Sequence, residues 1–187
     1  MPNHIANRIE FYGEQENINK VLELIKGEEA AIDFNKIVPM PDNIFRGNLG
    51  QQERELYGTN NWYDWSCANW GTKWNAYDIY CDANVIEFNT AWSCPLPVLD
   101  KLAEICYEYG VSFTGKWADE DMGSNVGIFE SDCDGDEYWF SYEYIENCSS
   151  EAYDIYVELQ GESECLGKDE NGNWIHYDCD DCPHKCY

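Results

Sequence analysis

The C-terminal segment holds the residues best suited by type to bind a metal. Cys179-x-x-Cys182 is followed by Cys186, with His176 and His184 nearby and Cys165 upstream. A Cys-x-x-Cys pair puts two thiolates on one tight loop, which suits tetrahedral zinc. Cys165, His184 and Cys186 are the candidates to complete a structural Zn2+ site, though only one Cys-x-x-Cys is present and the rest are not at standard spacing. The alternative is a set of free thiols or a redox dithiol.

Two acidic runs also have a chemical reading. Asp132, Asp134, Asp136 and Glu143 fall at positions 1, 3, 5 and 12 of a calcium loop, but Glu137 occupies the sixth position, where the turn requires glycine. Asp-Gly at 134–135 is itself a hairpin signal, and a hairpin is the expected structure. Asp119-Glu120-Asp121 offers three carboxylates, yet general acid–base work needs two in unlike environments. No Ser-His-Asp or Cys-His arrangement accompanies them, and His4, His176 and His184 all lie near the termini. The residues therefore predict no enzyme; a zinc-binding module or an uncharacterised enzyme is the alternative.

The elements that would position these groups follow from periodicity. Ile5, Asn7, Ile9 and Phe11 alternate as a strand ending at Gly13. Ile18, Val21, Leu22 and Ile25 share one helical face between Glu14 and Lys26, with Gly27 as a stop. Ile32 to Val38 reads as a short strand or extended run, and the stretch from there to Gly58 carries weak signals. Asn61 to Trp70 predicts a short aromatic helix. Strands are expected over Trp74–Cys81 and Val85–Trp92, then a helix opened by Pro95 and Pro97 with Val98, Leu102, Ile105 and Tyr109 inward. Further strands are expected over Val111–Trp117, Asn125–Glu130 and Tyr138–Tyr144. A last helix capped by Ser149 or Ser150 buries Ala152, Ile155, Tyr156 and Leu159, and Cys165–Tyr177 forms a hairpin turning at Asn171-Gly172. This order predicts an α+β fold: a ferredoxin-like sandwich, an antiparallel sheet with helices packed on one face. The division expected is one domain over 1–162 and a Cys-rich hairpin and tail over 163–187 packed on it.

Charge limits the partners. The chain has 187 residues, 11 basic and 37 acidic, for a net −26. Up to Trp117 there are 9 basic and 17 acidic residues; beyond it, 2 and 20. Affinity for nucleic acid comes largely from Lys and Arg releasing counterions at phosphates, so DNA, RNA and anionic membranes are disfavoured. At 44% hydrophobic and 16% aromatic the chain nevertheless folds. Trp62, Trp65, Trp70 and Trp74, beside Lys73, are expected mostly in the core, leaving room for one exposed aromatic patch. Met1-Pro2-Asn3-His4 has no signal-peptide character and no segment approaches a membrane span, so a cytoplasmic protein with reduced thiols is expected.

Several runs carry a resemblance. Met1-Pro2-Asn3-His4 with Asn7-Arg8, Ile32 to Pro41, Asn69-Trp70-Gly71-Thr72-Lys73-Trp74-Asn75-Ala76, Phe88 to Ser93, and Trp117 to Asp121 with Gly123 and Asn125 are similar to the YubB-type ferredoxin-like family of phages, plasmids and other mobile elements. The match spans roughly residues 1 to 160; Cys94 stands where proline is expected, and the tail from Cys165 is not part of it. The resemblance implies the ferredoxin-like fold and a mobile-element origin, with no activity attached. Joined to the charge, it leads to an acidic protein-binding protein, a nucleic-acid mimic that occupies the basic groove of a host defence or DNA/RNA-handling protein in the host cytoplasm. The partner-binding residues expected are Asp119, Glu120, Asp121, Asp132, Asp134, Asp136 and Glu137. Charge that serves only solubility is the competing reading.

Overall fold

In the computed structural model, residues 3–133, 135 and 137–177 are described. Strand β1 (His4–Tyr12) is followed by helices α1 (Gln15–Ile25), α2 (Phe34–Ile37), α3 (Gln51–Tyr57) and α4 (Trp62–Asn69). Strands β2 (Tyr77–Asp82) and β3 (Val85–Ala91) lead to helix α5 (Leu96–Glu108). Strands β4 (Ser112–Asp119), β5 (Gly127–Asp132) and β6 (Trp139–Tyr144) precede helix α6 (Ser150–Gln160), and the hairpin β7 (Leu166–Lys168) and β8 (Trp174–His176) comes last. The main sheet has the order β2-β3-β1-β4-β5-β6, with every pairing antiparallel. Its first four strands, with α1 and α5 as the two crossovers, form the ferredoxin-like unit. Strands β5 and β6 extend it past β4.

The period-two pattern of β1 sends Ile5, Asn7, Ile9 and Phe11 to one face, all buried. Register then places Phe88 and Trp117 opposite Asn7, and Phe113 opposite Phe11, on that same face. Ile18, Val21 and Ile25 of α1 and Val98, Leu99, Leu102 and Cys106 of α5 close over it. The expected packing of helices on one face describes α1 and α5. Helix α6 packs elsewhere: Ala152, Ile155 and Tyr156 meet Ala118, whose neighbour Trp117 points into the main core, so alternation sends Ala118 to the opposite face.

Two expectations are corrected. Ile32 to Val38 is not extended: the Asp33 carboxylate accepts from the Asn35 N–H at 2.9 Å and caps α2. The side-chain Oδ1 of Asn75 also accepts the Phe34 N–H at 2.9 Å, so a distant residue supports the local conformation. The strand expected from Trp74 begins only at Tyr77. Helix α3 escapes a periodicity search because it buries none of its residues.

Candidate functional site

Of the seven acids expected to form one face, the five within the described residues, Asp119, Glu120, Asp121, Asp132 and Glu137, separate into two groups. Ser131 pairs with Phe113 near the start of β4, and Asp119 ends that strand. Six residues of strand, roughly 20 Å at about 3.3 Å per residue, lie between them. That exceeds the Debye length of about 8 Å at physiological salt, so the two groups act independently.

At the Asp119 end, only Glu120 and Asp121 are exposed. Asp119 is 6% exposed. Its carboxylate accepts from Asn3 Nδ2 at 3.1 Å, from the Asp121 N–H at 3.0 Å and from Asn125 Nδ2 at 3.0 Å. It ties the start of β1 to the loop after β4 and presents no charge to a partner. Sequence reading placed Asp119 on the surface because its donors lie up to 116 residues away.

At the other end, β5 and β6 form the expected hairpin, and Asp132 and Glu137 are exposed near its tip. Asp134 and Asp136 lie outside the described residues. The Tyr107 hydroxyl donates to the Gly135 carbonyl at 3.1 Å, drawing the tip against α5. Between them runs a cleft of about 700 Å³ lined by Asp100, Glu104, Tyr107, Glu108, Glu137, Tyr138, Trp139 and Phe140. Asp100, Glu104 and Glu108 recur every fourth residue and so form one stripe along α5. Lys101 is paired with Glu104, and one cation beside Asp100, Glu104 and Glu108 leaves the stripe net negative. Tyr138 and Trp139 stand 38% and 50% exposed beside them. The acidic stripe was legible in the sequence as an i, i+4, i+8 row; its meeting with the hairpin tip was not.

A second cavity, about 390 Å³, lies along β1, β4, β5 and β6 and includes Arg8 and Lys116. Both cations are already paired, Arg8 with Glu87 at 3.1 Å and Lys116 with Glu158 at 2.7 Å. With Glu10, Glu130 and Glu143 also lining it, this cavity offers an anion no free positive group.

The tryptophans divide. Trp70 is buried and Trp65 packs on it edge to face. Trp74 and Trp92 are 37% and 42% exposed, with Lys73 beside both. Among the cysteines, Cys94 and Cys106 are buried, and burial pushes both thiols well above their ordinary range, away from nucleophilic use. Cys165 sits at the base of the last hairpin, where its carbonyl accepts the Tyr177 N–H. The other residues of the expected zinc set, Cys179, Cys182, His184 and Cys186, lie outside the described residues. Among the described residues no group of three His, Cys, Asp or Glu is placed to hold a metal, and no helix is long and apolar enough to cross a membrane.

A family model described as a ferredoxin-like domain in Api92-like protein matches residues 69–164, 96 of the 187 positions. That span runs from the end of α4 through α6 and includes the whole acidic cleft. No curated protein and no solved structure matches the chain.

Proposed function

The chain belongs to the Api92-like family through this ferredoxin-like domain, and from that premise we propose that it is an acidic protein-binding module whose partner is a basic protein. The observation that carries the proposal is the cleft between α5 and the β5–β6 hairpin, where a row of carboxylates runs beside Tyr138 and Trp139. Carboxylates alone would be consistent with solubility. Exposed aromatics beside them supply what interface centres use, large apolar area at low entropy cost. Charge of one sign steers the encounter, and the aromatics hold the docked partner. Along α5 the carboxylates repeat about every 6 Å, four residues at 1.5 Å each. A regular row of negative charge is what a groove built for phosphates accepts. The finer reading follows from the resemblance to the YubB-type family: a mobile-element protein that mimics nucleic acid to block a host defence or DNA/RNA-handling protein. Glu120 and Asp121 form a separate, secondary acidic group on this view.

Capture from host lysate at low salt, with release at high salt, is the way to the partner. Stopped-flow association then tests the surface. The triple variant Asp100→Asn, Glu108→Gln, Glu137→Gln should slow association several-fold and weaken its salt dependence, because rim charges act on encounter. Trp139→Ala should instead speed dissociation. Rates for both variants equal to wild type would assign the charge to solubility.

A further inference from the structure

We propose that Trp74 and Trp92 form a cation clamp, held by the chain's own Lys73, in which a lysine or arginine side chain of a basic partner takes its place. This rests on the reading of the partner as basic.

The clamp is built at some conformational cost. Trp92 follows β3 with φ of 74°, a left-handed conformation that bulky residues rarely adopt. Strain of this kind persists where surrounding structure over-determines it, and it gathers at functional positions. Here the Trp92 N–H donates to the Asn3 carbonyl at 3.0 Å, and Asn125 Nδ2 donates to the Trp92 carbonyl at 3.2 Å. Asn3 and Asn125 both end on the buried carboxylate of Asp119. The network turns a large indole outward, 42% exposed.

Trp74 is brought alongside by the segment before it. Thr72 Oγ1 donates to the Ala91 carbonyl at 2.8 Å and accepts the Ala91 N–H at 3.1 Å, and Ser93 Oγ donates to the Gly71 carbonyl. Lys73 then places Nζ 4.5 Å from the Trp74 ring centre and 5.1 Å from that of Trp92. Both distances fall within cation–π range, and tryptophan is the best of the rings for it.

Charge makes the choice informative. Seven other Lys and Arg side chains are ion-paired. Lys73 makes no ion pair among the described residues, in a chain with 37 acids. Its ammonium lies on ring faces instead. Tyr77 packs edge-on against Trp74, and the indole faces favour an incoming cation. Lys73 is tethered to the site, so its effective concentration there is high and a dilute free ion competes poorly. A side chain carried by a partner already docked on this acidic protein shares that advantage.

The probe is tetramethylammonium chloride titrated against matched sodium chloride, read at the indole N–H resonances of Trp74 and Trp92. Lys73→Met keeps the stem and removes the ammonium. It should bind the probe about five-fold tighter than wild type, with shifts at both indoles. Lys36→Met, which removes the same charge from α2, should behave as wild type. Equal binding by Lys73→Met and wild type, or shifts absent from both indoles, overturns the clamp. Because the probe is not a protein, this result stands or falls whether or not a basic partner exists. With a captured partner, Trp74→Ala should weaken affinity and Lys73→Met should strengthen it. Unchanged affinity in both would overturn the partner side chain as occupant.

Discussion

Asp119 shows how one buried carboxylate governs a surface. Its three donors come from Asn3, Asp121 and Asn125, and two of those residues also hold Trp92. Asp119→Ala leaves those donors without their acceptor in a partly buried network, and should cost about 2 kcal/mol. Urea unfolding should show a lower midpoint at unchanged slope; a loss under about 1 kcal/mol would mean that the network holds little. The tyrosines act at alkaline pH. Burial first, then the Cys148 thiol, pushes Tyr153 up to about 12, and burial also raises Tyr77, Tyr144 and Tyr156. A phenol raised in the folded state favours folding while it stays protonated. That contribution is whole below about pH 10, the ordinary value, and is lost as pH climbs through the folded value. Stability should therefore fall between about pH 10 and 12, with Tyr153→Phe flattening the fall; an unaltered profile in the variant would remove Tyr153 from the account.

At the scale of elements, the added strands depend on a close approach. A Cβ on Gly127 would overlap the Trp117 indole and the Glu143 carbonyl, so β5 can lie between β4 and β6 only with glycine there. Gly127→Ala should cost about 2–3 kcal/mol by overpacking and change the near-ultraviolet signal of Trp117. A stable variant with that signal intact would show that β5 shifts freely. The last hairpin is anchored to α6, where Trp174 Nε1 donates to Asp154 at 2.8 Å and Trp174 packs near Tyr153. On the Cys-x-x-Cys spacing, the segment beyond it is expected to carry about one zinc per chain, held by Cys179, Cys182 and two of Cys165, His184 and Cys186. Elemental analysis after reducing purification measures it; protein that is metal-free and folds alike with and without zinc would leave these as free thiols.

For the whole molecule, the net −26 is both a partner filter and a load on the fold. Self-repulsion weakens a compact state and salt screens it, so the melting temperature should rise from low salt to about 0.15 M, where the Debye length falls to about 8 Å. The same charge predicts no gel shift with duplex DNA or RNA at physiological salt. Micromolar binding that weakens as salt is added would contradict it.

How much could be read before folding depended on range. Alternation in β1, the stripe of α1, a serine cap of α6 at Ser149 or Ser150 and the β5–β6 hairpin were all legible, because each depends on neighbours a few residues apart. So was the ferredoxin-like order, which follows from counting elements. The helical turn at Phe34–Ile37 was not, because Asn75 completes it from 41 residues away. Nor was the division of the acids, which needed the register of β4 against β5 to set Asp119 and Asp132 at opposite ends of the sheet. Burial of Asp119, the acidic stripe of α5 meeting Tyr138 and Trp139, and the placing of Lys73 between two indoles are all products of tertiary contact. Sequence settles what a residue can do within its own turn or strand; which distant groups share its surface is decided only when the sheet closes and the helices cover it.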